Sequence, residues 1–335
     1  MTWVGATLTG LGNYDLTWQT THELNIGLEF GLWKDRIKGT IDFYNKTTDN
    51  LLSYMDLPLS TGFSNYMANV GEVKNKGFEL SLSAYIIKDK ERHFNWIVSG
   101  QMVYNKNRIA KLSDAIKQQN EQYMTSAADV STLFFEGYPQ NSIYAVQSLG
   151  IDPSTGQEIF LDKNGNQTYT WDAGDKVFLG SSDPLYRGNF GTTIVWKKLT
   201  VNCSFAYHFG GYAYNQTLLD KVEVTTSTIS SQNVDERVLS QRWYNPGDVT
   251  FFKRLSNETT HATSRYVMED NVLQLQSVGV QYRFDSQKLQ RALRCNALTL
   301  ALNMNDLFYL STIKRERGTS YPYARNIQVS AKLSF

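Results

Sequence analysis

No run of apolar residues in this chain approaches the roughly 18 that a membrane-spanning helix needs, and mean hydropathy is −0.39. That excludes a helical span but not a spanning β-barrel, whose alternating strands average to the hydropathy of a soluble protein. Cysteine is almost missing: Cys203 and Cys295 are the only two. They are too few and too far apart for a disulfide framework or a zinc site, and read as buried or lipid-facing thiols. An excess of one charge is missing too. The 33 basic and 32 acidic residues leave a formal net charge of +1, which gives no electrostatic case for nucleic acid. The N-terminus carries neither the basic segment nor the apolar segment of a secretory signal, so the expectation is a segment of a longer chain or a start other than Met1.

Catalytic signatures are also missing. No Gly-x-Ser-x-Gly elbow, HExxH, P-loop or GxGxxG occurs, and His22, His93, His208 and His261 lie in separate segments. His208 alternates onto the polar side of its segment, where solvation explains it better than catalysis. Asp162-x-Asn164-x-Asn166 resembles the start of a calcium loop, but Gln167 and Ala173 stand where such a loop needs Gly and Glu. Asn164-Gly165 therefore reads as a hairpin turn. No enzyme, catalytic residue, cofactor or metal is expected.

What is present is alternation. Proline is scarce at 6, while Tyr (20) and Phe (17) are abundant, a composition that favours strands. Phe78, Leu80, Leu82 and Ala84 fall on one face, opposite Glu79, Ser81, Ser83 and Tyr85. Just before them, Gly71, Asn75 and Gly77 read as turn chemistry within a polar connection over 47–76. Leu24 to Leu32 and Ile37 to Phe43 alternate on either side of Lys34-Asp35-Arg36 and read as a hairpin. Similar patterns run through 94–104, 190–196, 199–209, 278–284, 298–304 and 327–335, with a weaker one at 3–11. The stretch 106–184 holds one further alternation, 143–151, and its turn signals predict a loop-borne hairpin. The expected fold is all-β: a transmembrane antiparallel β-barrel segment of about ten strands belonging to a larger barrel.

Three patterns support a barrel over a soluble sandwich. Connections alternate between short (34–36, 88–92, 197–198, 285–295) and long (47–76, 106–184, 210–263, 309–323), as in outer-membrane barrels. Every proline, from Pro58 and Pro139 to Pro153, Pro184, Pro246 and Pro322, falls in a predicted loop. Aromatics gather at strand ends on the apolar face. Trp96, Trp196, Phe284 and Phe335 sit by short turns, and Phe43, Tyr104, Phe209 and Phe308 by long loops, which suits belts at the two interfaces.

The chain resembles the C-terminal barrel part of SusC/RagA-type TonB-dependent outer-membrane transporters of Bacteroidetes-like bacteria. The residues that carry the resemblance are Gly12-Asn13-Tyr14-Asp15-Leu16-Thr17-Trp18, the stretch 69–79, Gly150-Ile151-Asp152-Pro153 with Thr155-Gly156, Asp183-Pro184-Leu185-Tyr186, Arg242-Trp243-Tyr244-Asn245-Pro246-Gly247-Asp248, Asn303-Met304-Asn305-Asp306-Leu307-Phe308, Tyr321-Pro322-Tyr323-Ala324-Arg325 and the terminal Phe335. Gln19 departs from the Glu usual there in the family. The resemblance covers nearly the whole chain, so 1–335 is expected to be one barrel segment without the plug and the N-terminal strands.

The resemblance implies an outer-membrane location and energised import of oligosaccharides or peptides. It also implies a SusD-like surface lipoprotein as partner, with the TonB complex engaged through a part of the transporter this segment does not include. A segment with two open strand edges is expected to be inactive alone, since lipid cannot satisfy those edges. Trp171, Trp243 and Tyr244, in long loops, are the candidate substrate contacts, because flat rings with a polar handle suit sugars and peptides alike. Asn25, Glu29, Asp42, Glu79 and Gln101 are candidate lumen residues. A secreted or surface carbohydrate-binding protein or adhesin is the alternative. It accounts for the aromatics and polar loops but not for the short–long alternation.

Overall fold

The computed structural model describes residues 10–56, 62–63, 65–125, 130, 133–314 and 325–335. The predicted strand at 3–11 lies almost wholly outside the described residues, as do Pro58, Pro322 and the segment Tyr321-Pro322-Tyr323-Ala324. Strands hold 56% of the described residues and helices 13%, so the all-β reading holds.

Nine strands form one antiparallel sheet: β1 (Thr20–Leu32), β2 (Ile37–Asp56), β3 (Asn65–Asp89), β4 (Phe94–Leu112), β9 (Tyr186–Trp196), β10 (Leu199–Tyr214), β11 (Val267–Phe284), β12 (Ala297–Ser311) and β13 (Asn326–Ser334). Their spatial order is the chain order, an up-and-down meander interrupted only where β4 passes to β9. A separate four-stranded sheet, ordered β7-β6-β5-β8, fills that interruption: β5 (Ser142–Ile151), β6 (Glu158–Leu161), β7 (Gln167–Thr168) and β8 (Lys176–Ser181). The main sheet thus holds nine described strands, and the further expected strand, 3–11, lies almost wholly outside the described residues.

The registers line the apolar residues into rows on one face. Ile26, Phe43, Phe78, Tyr104, Tyr186 and Phe209 are successive cross-strand partners. Neighbouring rings in that row lie 6.1, 5.5 and 5.1 Å apart from Phe43 to Tyr186, within the range of favourable aromatic pairs. A second row near the short turns runs through Trp196, Leu199, Tyr282 and Leu300. Between the rows this face stays bare: Leu28 is 62% and Val329 76% exposed. A bare apolar surface of this extent must be covered by something other than water. The opposite face carries the predicted polar residues. Asn25 pairs with Tyr44, Glu29 with Thr40, Asp42 with Glu79 and Ser81 with Gln101.

The short turns fall where predicted, at 33–36, 90–93 and 197–198, except that 285–295 contains a helix, α5 (Gln287–Leu293). The long connections were overestimated. β2 and β3 run on through most of 47–76, leaving only 57–64 between them. β4, β10 and β12 also continue past the predicted strand ends, to Leu112, Tyr214 and Ser311. A spanning strand needs about 9 to 11 residues, yet β3 has 25 and β2 has 20. The excess lies on the long-loop side, where water wets both faces and nothing enforces alternation.

The predicted turn at 69–77 is therefore strand. Gly71, at a register shift, takes a positive φ (+147°). Gly77 is regular strand instead, and the Tyr44 ring lies over it, so that a side chain there would strike both that ring and the Tyr104 carbonyl. The described prolines, Pro139, Pro153, Pro184 and Pro246, all lie outside strands.

Among the described residues, apolar core clusters form in the layer at the long-loop ends. One gathers Leu218, Val222, Val224, Val238, Phe252 and Tyr266 around α2 (Gln216–Lys221), α3 (Thr226–Ser231) and α4 (Arg237–Ser240). A second joins Val130, Ile143 and Ala145, and a third seats Ile116 of α1 (Asp114–Met124) on Ala68.

Candidate functional site

The loop layer is assembled from short polar motifs. Asp152 opens the turn after β5. It accepts hydrogen bonds from the Ser154 amide (2.8 Å), the Ser154 and Thr155 hydroxyls and the Tyr169 phenol (2.7 Å). That donor set, led by the Ser154 amide, holds its carboxyl well below the ordinary aspartate range. Asp162 likewise accepts from the Asn164 and Asn166 amides and closes the β6–β7 hairpin. The Asn-Gly turn expected there is what the chain forms. Asp248 accepts from the Tyr244 and Asn245 amides and closes the next turn.

These turns dock on one another. The Trp243 indole N–H donates to the Pro153 carbonyl (2.9 Å), and the Gly247 amide donates to the same oxygen (2.7 Å). Gly156, with φ of +69°, lies against the Trp243 ring so closely that a side chain there would overlap it. The Tyr244 hydroxyl donates to the Val238 carbonyl (3.0 Å). Arg242 is buried and donates to the carbonyls of Val222 (2.6 Å) and Val224 (3.1 Å), just beyond α2. The Arg242–Asp248 motif is a clamp between the β5–β6 turn and the helical core.

Beneath the clamp lies a buried ionic cluster. The Arg265 guanidinium, 4% exposed, pairs with Glu158 (2.8 Å) and Glu223 (3.0 Å), whose side chains are 4% and 0% exposed. Thr263 donates to Glu158 (2.9 Å), the Lys253 amide donates to Glu223 (3.1 Å) and Arg265 donates to the Phe251 carbonyl (2.6 Å). Burial alone would push the guanidinium down, but the two carboxylates outweigh it and the Arg265 pKa is raised. Two carboxylates share one guanidinium and each accepts a further hydrogen bond, the kind of partnering a buried ion group needs.

Beside this cluster opens a cleft of about 310 Å³ between the β6–β7 hairpin and the segment 253–261. Trp171 lines it, stacked on His261 with ring centroids 4.2 Å apart and planes 14° apart. The Trp171 indole N–H donates to the Ala262 carbonyl (3.3 Å), which fixes the ring. Lys253 and Arg254 bring cationic heads to the same wall. Burial lowers the His261 pKa, and the Lys253 charge adds to the effect. The structure thus brings Trp171 into a cleft, whereas Trp243 and Tyr244 each have their polar atom engaged in packing. Lys253, Arg254 and His261 carry no sequence motif, and only their convergence from loops exposes them as a group.

A family profile described as "TonB dependent receptor-like, beta-barrel" matches residues 4–142. The TonB-dependent receptor SusC of Bacteroides thetaiotaomicron is 27% identical over 96% of this chain and 29% of its own length. The TonB-dependent receptor P39 of Formosa agariphila is 26% identical over 89% of this chain and 32% of its own length. A solved structure of the RagAB peptide transporter superposes with a TM-score of 0.77 at 25% identity, covering 92% of this chain and 34% of that one. The chain is homologous to the β-barrel of SusC- and RagA-type TonB-dependent receptors. It spans about a third of the length of the curated relatives it matches. Those homologues are outer-membrane proteins, and the bare apolar face is the lipid-facing wall of such a barrel. The opposite face lines its lumen, and the loop layer caps its outer end. The homologues are transporters, not enzymes.

Proposed function

We propose that this chain is the C-terminal barrel segment of a TonB-dependent importer of oligosaccharides or peptides. In this reading the lipid-facing wall and polar lumen belong to 1–335. The plug, the TonB contact and the remaining strands belong to the rest of the transporter, and a SusD-like surface lipoprotein covers the loop layer. Such transport needs no catalytic residue, and the segment acts as wall and recognition surface rather than as an enzyme. One observation carries the reading: nine successive strands keep a single apolar face in register while all described apolar cores lie beyond it. A secreted adhesin would bury that face.

Among the loop aromatics, Trp171 is the substrate contact this reading favours, with Trp243 and Tyr244 acting by holding the loops around it. Deleting the gene should abolish growth on one oligomeric nutrient, glycan or peptide, while sparing growth on its monomer. Unchanged growth on every oligomer the parent cell uses would overturn the proposal. An antibody against residues 325–335 should detect the product in the outer membrane, extractable only by detergent. Release of the product by simple lysis would favour the adhesin.

A further inference from the structure

We infer that the cleft lined by Trp171, Lys253 and Arg254 is a subsite for a carboxylated sugar residue, an inference that rests on the import reading above. Lys253 carries the argument. Its ammonium makes no ion pair or hydrogen bond among the described residues, although its backbone is fixed by Glu223. Burial lowers its pKa, and the Glu223, Glu158 and Glu258 carboxylates oppose that shift from a distance. A half-buried cation without a partner is costly to keep unless an anion visits it. Arg254 stands beside it, held only loosely by Glu258 at 4.0 Å, a carboxylate that is itself 64% exposed and free to turn away.

The other acid in the cleft does not oppose an incoming anion. Glu158 is already neutralised by Arg265 and capped by Thr263. Lys253 and Arg254 are the cations that line the cleft. Its remaining wall is Gln157, Thr170, Thr259 and Thr260 with the rings of Phe160 and Tyr169. The indole of Trp171 is locked by His261 and the Ala262 carbonyl. An aromatic plate, a ring of hydroxyl partners and a cation pair match a sugar ring with an apolar C–H face, several hydroxyls and one carboxylate.

The test is calorimetric titration of the purified full-length receptor with trigalacturonic acid, maltotriose and triglutamate. Trigalacturonic acid should bind, and Lys253→Met or Trp171→Ala should each weaken it about tenfold or more, the scale of one lost charge-assisted contact. Arg254→Gln should weaken it less. Retained heat-modifiable gel mobility identifies variants whose barrel is intact. Equal binding of maltotriose, with no effect of Lys253→Met, would overturn the inference. So would binding of triglutamate in place of the uronate, or no binding of the uronate at all. Failure here with the growth defect intact would leave the import reading standing. Binding here with no growth defect on any oligomer would remove the import reading instead.

Discussion

The sheet and the loop layer of this protein solve opposite problems. The sheet has no apolar core among its described residues between the aromatic rows, and Leu24, Ile26, Leu28 and Val329 point away from the protein. The loop layer is built like a small soluble domain, with Tyr266 and Phe252 fully enclosed and an arginine buried between two glutamates. Water surrounds one region and lipid the other, and each buries what its own solvent rejects. The difference implies that the two regions depend on separate interactions, so damage to one should spare the other.

Arg265→Met should break the loop layer most severely. It leaves Glu158 and Glu223 buried without a partner, a loss of about 3–5 kcal/mol for a broken buried pair. Limited proteolysis should then cut within 215–266 while heat-modifiable mobility of the barrel persists. Loss of both together would show that the regions are one cooperative unit. Leu28→Arg attacks the sheet alone. At a lipid-facing position near mid-membrane it should cost about 2–4 kcal/mol and reduce assembly. Thr40→Arg, on the polar face, should be close to neutral, and equal loss from the two variants would show that the polar face is not a wet lumen wall. That contrast is the sharpest check on which face meets lipid, because Leu28 at 62% exposure looks like an ordinary surface residue.

The same division decides what the sequence made legible. Inside the membrane, lipid on one side and a wet lumen on the other force a period of two. The hairpin of β1 and β2, the pairing of β9 with β10 and the face of β13 are readable for that reason. Beyond the membrane the constraint ends. Residues 44–56 and 65–77 continue the ladder without alternating cleanly, and were read as loop and turn. Phe43 was placed by a long loop and lies instead inside β2, because the strand runs thirteen residues further than the apolar pattern, to Asp56. α1 is hidden in the sequence because it is a short piece whose packing partner, Ala68, comes from distant sequence. Of the candidate contacts, Trp171, Trp243 and Tyr244 were legible as loop aromatics. What was not legible is that an indole donates to Pro153 in one case and stacks on His261 in another. Lys253 carries no signal of its own, since two of the carboxylates that act on it, Glu223 and Glu158, come from other segments of the chain.

Gly156→Val tests the joint between motifs. The positive φ and the collision with the Trp243 ring should together cost about 1–3 kcal/mol. The Pro153 and Trp243 turns should separate, seen as faster cleavage near 153–156 and 243–247. If protection there is unchanged, the clamp does not hold the layer together.

Acid should loosen the layer more gently. Asp152, Asp162 and Asp248 are held below the ordinary aspartate value by backbone and side-chain donors. Asp235 is lowered to about 2, chiefly by its hydrogen bond from Arg237. With folded pKa values depressed, the unfolded loops bind protons first as pH falls. The stabilisation is therefore complete above the ordinary value of 3.8 and declines as pH drops through the folded values. These turns lie at the water-exposed end, and no comparable set of lowered aspartates braces the strands at their lipid face. Fluorescence of Trp243, taken as the difference between the parent and Trp243→Phe, should shift between about pH 4 and pH 2. Heat-modifiable mobility should not change over that range. A shift at higher pH, yet below the ordinary histidine value of 6.5, would instead implicate His261, whose pKa is lowered by burial. The stacked Trp171–His261 pair, not the aspartate turns, would then be the acid-sensitive element.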